Sequence, residues 1–107
     1  MTTSPQTPDK EHHLLFILLK VARPEDQARL AAAVQQHIDT WIRHCAGYVS
    51  TRLHLGTDGL FLINRAEWVD EEHYVTQFLE DPRKKELDRS IAEFATEAPQ
   101  PFPCRAF

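Results

Sequence analysis

Asn64 and Trp68 are of a type and spacing that could hold a negatively charged reaction intermediate. If Leu60 to Trp68 is a strand, parity puts Leu60, Leu62, Asn64, Ala66 and Trp68 on one face. Phe61, Ile63, Arg65 and Glu67 then share the other. An amide on an otherwise apolar face is costly unless it finds partners. The small Ala66 leaves room above the sheet, into which the amide and the indole N–H could both point as donors. Two neutral donors in a dry cavity suit a developing enolate or phenolate. The same pattern also fits an amide satisfied by neighbouring backbone beside a tryptophan that only fills core.

These side chains need a scaffold, and the chain's periodicities supply one. Leu14 to Val21 is a short apolar run, as expected of a strand buried on both faces. Pro24, Glu25 and Asp26 start a helix. Its apolar stripe runs through Leu30, Val34, Ile38, Trp41 and Cys45, with Arg43 and His44 in the last turn and Gly47 beyond. From Tyr48 to Leu55 the period falls to two, with Val49, Thr51, Leu53 and Leu55 opposite Tyr48, Ser50, Arg52 and His54. Gly56-Thr57-Asp58-Gly59 is a hairpin turn leading to the Leu60–Trp68 strand. Asp70 can cap a second helix that places Tyr74, Phe78 and Leu79 on its apolar side. Asp81-Pro82 interrupts that helix, which resumes through Leu87, Ile91 and Phe94. Three prolines allow residues 98–107 at most a short edge strand.

The order predicts an α+β, ferredoxin-like β-α-β-β-α-β domain, an antiparallel sheet with both helices on one face. Its other face would be bare and apolar, and a second copy is the simplest cover, so a homodimer is expected. One domain over residues 12–107 follows from the length of 107. Residues 1–11 read as a disordered leader, and Glu11-His12-His13 as a solvated tract.

Composition closes off several classes. The net charge is −4 with no basic stripe, which argues against nucleic acid; Arg83-Lys84-Lys85 among acids reads as a solvated face. No window suits a signal peptide or a membrane span, so a cytoplasmic protein that does not contact membrane is expected. Cys45 and Cys104 lack zinc spacing; reduced thiols are expected, with a disulfide between them as the alternative. His37 and His44 share a helix face without an evident third ligand, so no metal site is expected. His54 and His73 read as surface histidines.

From Asp58 to Ile91 the chain resembles the antibiotic biosynthesis monooxygenase family, on Asp58-Gly59, Asn64, Ala66-Glu67-Trp68, Tyr74, Asp81-Pro82-Arg83 and Glu86-Leu87. A weaker likeness at Trp41-Ile42-Arg43 and Gly47 extends it over most of residues 14–95, with Ala46-Gly47-Tyr48 in place of the family's Pro-Gly-Phe turn. The resemblance implies a dimeric α+β barrel and, from the family's quinone-forming members, oxidation of a phenolic, anthrone-type polyketide by molecular oxygen without a cofactor. It implies Asn64 and Trp68 as the polar catalytic pair, and a pocket including Tyr74, Leu62, Ala66 and Phe78 around a small aromatic substrate. The helix arginine to which those members owe a proton relay is Asp88 here, and Arg89 lies about 100° around an ideal helix. Haem-degrading relatives need a first-strand asparagine and a second-helix histidine, which this chain lacks. An accessory module that binds, cyclises or isomerises a polyketide is the alternative function on this fold.

Overall fold

A computed structural model describes residues 11–107. The elements run β1 (His13–Lys20), α1 (Pro24–Thr40), a 3₁₀ turn (Ile42–His44), β2 (Tyr48–Leu55) and β3 (Phe61–Trp68). Then come a short α2 (Glu71–His73) that widens into a π-helical turn (Tyr74–Leu79), α3 (Lys84–Phe94) and β4 (Gln100–Cys104). The sheet order is β2-β3-β1-β4 with every pair antiparallel, the expected ferredoxin-like arrangement. The proline-rich β4 lies on the edge beside β1, where missing N–H donors cost least.

The helices pack on one face of the sheet. Leu30, Val34 and Ile38 of α1, Leu87 and Ile91 of α3, and Leu15, Leu19, Leu62 and Trp68 of the sheet form the core. Local chemistry explains the element ends. Pro24 opens α1, Asp70 accepts a hydrogen bond from the His73 N–H at 2.8 Å to cap α2, and Gly59 turns the hairpin at φ 80°. Gln27, buried on α1, donates to the carbonyls of Gly56 and Phe61 at 2.9 and 2.8 Å, pinning the helix to the hairpin. The Trp41 indole N–H donates to His37 Nδ1 at 3.0 Å, and His37 Nε2 lies 3.1 Å from the Ser90 hydroxyl, so α1 and α3 are bridged. With Nδ1 accepting, Nε2 carries the proton and is the donor to Ser90.

Several expectations need correction. The β1 strand is not buried on both faces: Leu15 and Leu19 are enclosed, while Phe16 and Lys20 are exposed on the side without helices. α1 ends at Thr40, and the stretch through His44 is a separate 3₁₀ turn. A bulge between Tyr48 and Ser50 breaks the parity of β2, so Tyr48 pairs with Trp68 and joins the face of Thr51 and Leu53. His12 is buried rather than solvated, with Nδ1 2.5 Å from Glu67 Oε2, and His13 already belongs to β1. The rest of the expected leader, residues 1–10, lies outside the described residues. Both cysteines are free thiols.

Gly47 holds the turn into β2 at φ 84°, and it is packed so tightly that an added Cβ would strike the His73 side chain. Gly47→Ala is expected to cost about 2–4 kcal/mol through left-handed strain and overpacking. A urea-denaturation midpoint close to the unsubstituted protein's would contradict this.

Candidate active site

The small residues at the middle of the sheet leave a space that the helices roof but do not fill. Thr51, Asn64 and Ala66 are its floor, and the cavity above them measures about 380 Å³. Trp68, Tyr74 and Phe78 make an aromatic wall, and Val34, Ile38, Leu87 and Ile91 close the top. Pro99 and Pro101 stand at the β4 edge. The wall is a continuous ring cluster. Tyr74 stacks on Phe78 with centroids 5.6 Å apart, Trp68 meets Tyr74 edge-on at 6.0 Å, and Tyr48 meets Trp68 edge-on at 5.7 Å. Trp41 stacks on Phe78 at 5.7 Å, and Arg83 lies over the Trp41 ring at 4.8 Å.

The π-helical turn carries two rings of this wall. Tyr74 and Phe78, four apart on this turn, share one side of it, and both rings meet Trp68 of β3. Asp81 then accepts from the Arg83 backbone N–H and guanidinium, and α3 begins at Lys84.

Polar groups in the cavity are few. Asn64 is flanked in register by Ile17 on β1 and Leu53 on β2, both apolar. Its Oδ1 is buried and has no hydrogen-bond partner among the described residues. An orphaned buried acceptor costs about 1–3 kcal/mol, so a site that keeps one is set up for a ligand to satisfy it. Rotation about the terminal side-chain bond exchanges Oδ1 with the amide NH₂, letting one residue accept from a phenol and donate to a phenolate. Trp68 is 2% exposed, and it lines the cavity two positions beyond Ala66. Burial holds the Tyr74 phenol above its ordinary pKa, so it stays neutral and cannot act as a base near pH 7.

Of the residues singled out from sequence, Asn64, Ala66, Trp68, Tyr74 and Phe78 come together around one cavity. Leu62 does not join them. It is fully buried one step along β3, opposite Leu19 and Leu55, and serves the core. Arg89 bonds Glu86 on the exposed side of α3, and Arg65 lies beside Glu67 on the helix-free face of the sheet. Neither enters the cavity. Lys84 does, though its basic neighbourhood reads as a solvated face. Its Nζ lies 2.7 Å from Asp88 Oδ1 and 5.8 Å from the Phe78 ring centroid. The signal for it is helical spacing, since Lys84, Leu87, Asp88 and Ile91 share one stripe. No group of three or more metal-ligating side chains is found among the described residues. No helix there is long and apolar enough to cross a membrane.

Fold and cavity together define a ferredoxin-like small-molecule domain, with one unsatisfied amide set in an aromatic chamber. No protein-family model matches the chain. Over 85 residues it is 35% identical to the tetracenomycin-F1 monooxygenase of Streptomyces glaucescens, covering 78% of this chain and 70% of that protein. The monooxygenase from the ActVA-Orf6 gene of Streptomyces coelicolor, solved with nanaomycin D, matches with a TM-score of 0.84 at 25% identity. That match covers 92% of this chain and 89% of the other. SnoaB of Streptomyces nogalater, a cofactor-independent oxygenase solved in a mutant form, shares the fold at a TM-score of 0.67 and 15% identity, over 91% and 96% of the two chains. The chain belongs to the antibiotic biosynthesis monooxygenase family. Monooxygenation is thus the kind of reaction to which its site should be referred.

Proposed function

We propose that this protein oxidises a phenolic, anthrone-type aromatic polyketide to a quinone with molecular oxygen, without a cofactor, as a cytoplasmic homodimer. The observation that carries the reading is Asn64, which lines an aromatic-walled cavity and whose buried Oδ1 has no partner among the described residues. A flat polycyclic phenol satisfies both features, offering ring faces to Trp68, Tyr74 and Phe78 and a hydroxyl to Asn64. The named substrate of the Streptomyces glaucescens relative and the nanaomycin D held by the Streptomyces coelicolor enzyme support an aromatic polyketide.

The chemistry balances with oxygen alone. Loss of a proton from the substrate gives a delocalised, electron-rich carbanion, which passes one electron to O₂. Recombination of the resulting radicals forms a C–O bond and, after protonation, a hydroperoxide. Loss of water from it leaves the new carbonyl, so the substrate CH₂ and O₂ become C=O and H₂O. Asn64 and Trp68 would hold the phenolate oxygen, each well-placed donor lowering the barrier by about 3–4 kcal/mol. Trp68→Phe keeps the ring contacts but removes the N–H. Turnover should fall about a hundredfold with substrate affinity little changed; equal turnover would limit Trp68 to packing.

The deciding test is oxygen uptake by metal-stripped protein given dithranol, with flavin and haem absorbance scanned in the same sample. Uptake above autoxidation with quinone formed supports the reading. Anthrone binding, seen as fluorescence quenching, without uptake would replace it with an accessory role in binding, cyclisation or isomerisation.

A further inference from the structure

Among the described residues Lys84 is the one cation in the cavity wall, and the proposed oxidation makes no use of it. It stands on α3, across the chamber from Asn64 on the sheet. The two polar ends differ in kind: the amide at the floor leaves an acceptor unfilled, and the ammonium at the rim is a donor only. Asp88, one turn on, holds that ammonium at 2.7 Å. An i,i+4 pair of this sort is weak, because water competes for both charges. Asp88 lines the same wall as the one carboxylate beside this one cation, but its side chain is 53% exposed, so it remains solvated and can turn to water if the ammonium leaves it. The Lys84 side chain is only 25% exposed, and its Nζ lies 5.8 Å from the centroid of Phe78, a ring that lines the same chamber. The ammonium can therefore change partners at little cost, from Asp88 to an anion that arrives inside the cavity.

We propose that Lys84 is a specificity residue that selects aromatic substrates bearing an ionised carboxylate at the end remote from the hydroxyl bound by Asn64. A carboxylate is fully charged near pH 7, whereas a phenol at its ordinary pKa of about 10 is not, so the acid is the group the ammonium distinguishes. Charge-assisted hydrogen bonding to Lys84 then compensates for desolvating the carboxylate. This rests on the reading of the cavity as an aromatic-ligand site.

Titration calorimetry with anthraquinone-2-carboxylate and the neutral anthraquinone-2-carboxamide tests it without calling on turnover. The protein should bind the acid about five- to tenfold more tightly than the amide. Lys84→Met should abolish that preference with carboxamide affinity unchanged, Lys84→Arg should retain most of it, and Asp88→Asn should increase it by removing the competing carboxylate. Circular dichroism checks that each variant is folded. A preference that survives in Lys84→Met, or carboxamide binding with no preference in the unsubstituted protein, overturns the assignment and leaves the proposed oxygenation standing. Failure of both probes to bind removes the aromatic-ligand reading of the cavity, and this assignment with it.

Discussion

Asn64→Ala should lower turnover on an anthrone by about 10²–10³-fold while substrate affinity changes little, because a donor that acts on developing charge contributes mainly in the transition state. The accompanying stability change is as informative. A structural amide is bonded, and its removal destabilises the fold. Asn64 Oδ1 is buried without a partner, so the side chain already costs the free protein stability. Asn64→Leu, of similar branched shape and with the cavity beside it to take the added bulk, is therefore expected to raise stability by about 1–3 kcal/mol while eliminating turnover. Urea denaturation and oxygen uptake on the same two variants check both halves. Activity retained, with a destabilised fold, would return Asn64 to the role of a core amide. The opposition of the two signs separates the two readings that the residue pattern of β3 leaves open.

Phe16→Asp should convert a dimer into a folded monomer. By register Phe16 lies between Arg65 on β3 and Phe102 on β4, on the face of the sheet that carries no helix. Phe16 is 36% and Phe102 51% exposed, with Leu18 and Ile63 half-buried beside them. His12, Glu67 and Arg65 form a polar group at one end of this face. An apolar sheet face with a charged margin has the composition of an interface core and its rim. If a second copy covers it, an unpaired carboxylate at position 16 is desolvated on assembly, weakening the dimer by about 3–5 kcal/mol, or roughly two to four powers of ten in Kd. The fold itself should be unaffected, since in the free chain that side chain is in contact with water. Sedimentation equilibrium measures the shift, and a monomeric unsubstituted protein at every concentration would disprove the premise.

Much of the fold was legible because its signals are local. The two-residue period from Ser50 to Leu55, the Asp58-Gly59 turn, the Asp70 cap and the Asp81-Pro82 break each depend on backbone geometry within a few residues, and each appears at the expected place. The floor of the candidate site was legible for the same reason. Strand parity alone puts Asn64, Ala66 and Trp68 on one face, and the small Ala66 does leave room.

Local patterns of residue type therefore set the elements, their order, and the residues each presents to one side. The tertiary structure decided which of those residues share a cavity. A single bulged position turns Tyr48 toward Trp68, against its parity. Leu62 lies on the same face as Asn64 yet is sealed within the core cluster that holds Leu19 and Leu30. His12 is buried through a partner 55 residues away, and Lys84 leaves a charged surface run to enter the chamber. Each of these outcomes is set by side-chain packing between segments distant in sequence, whose energies no local pattern encodes. The unsatisfied amide is the clearest case: its residue type and face are local facts, but its lack of a partner is a property of everything packed around it.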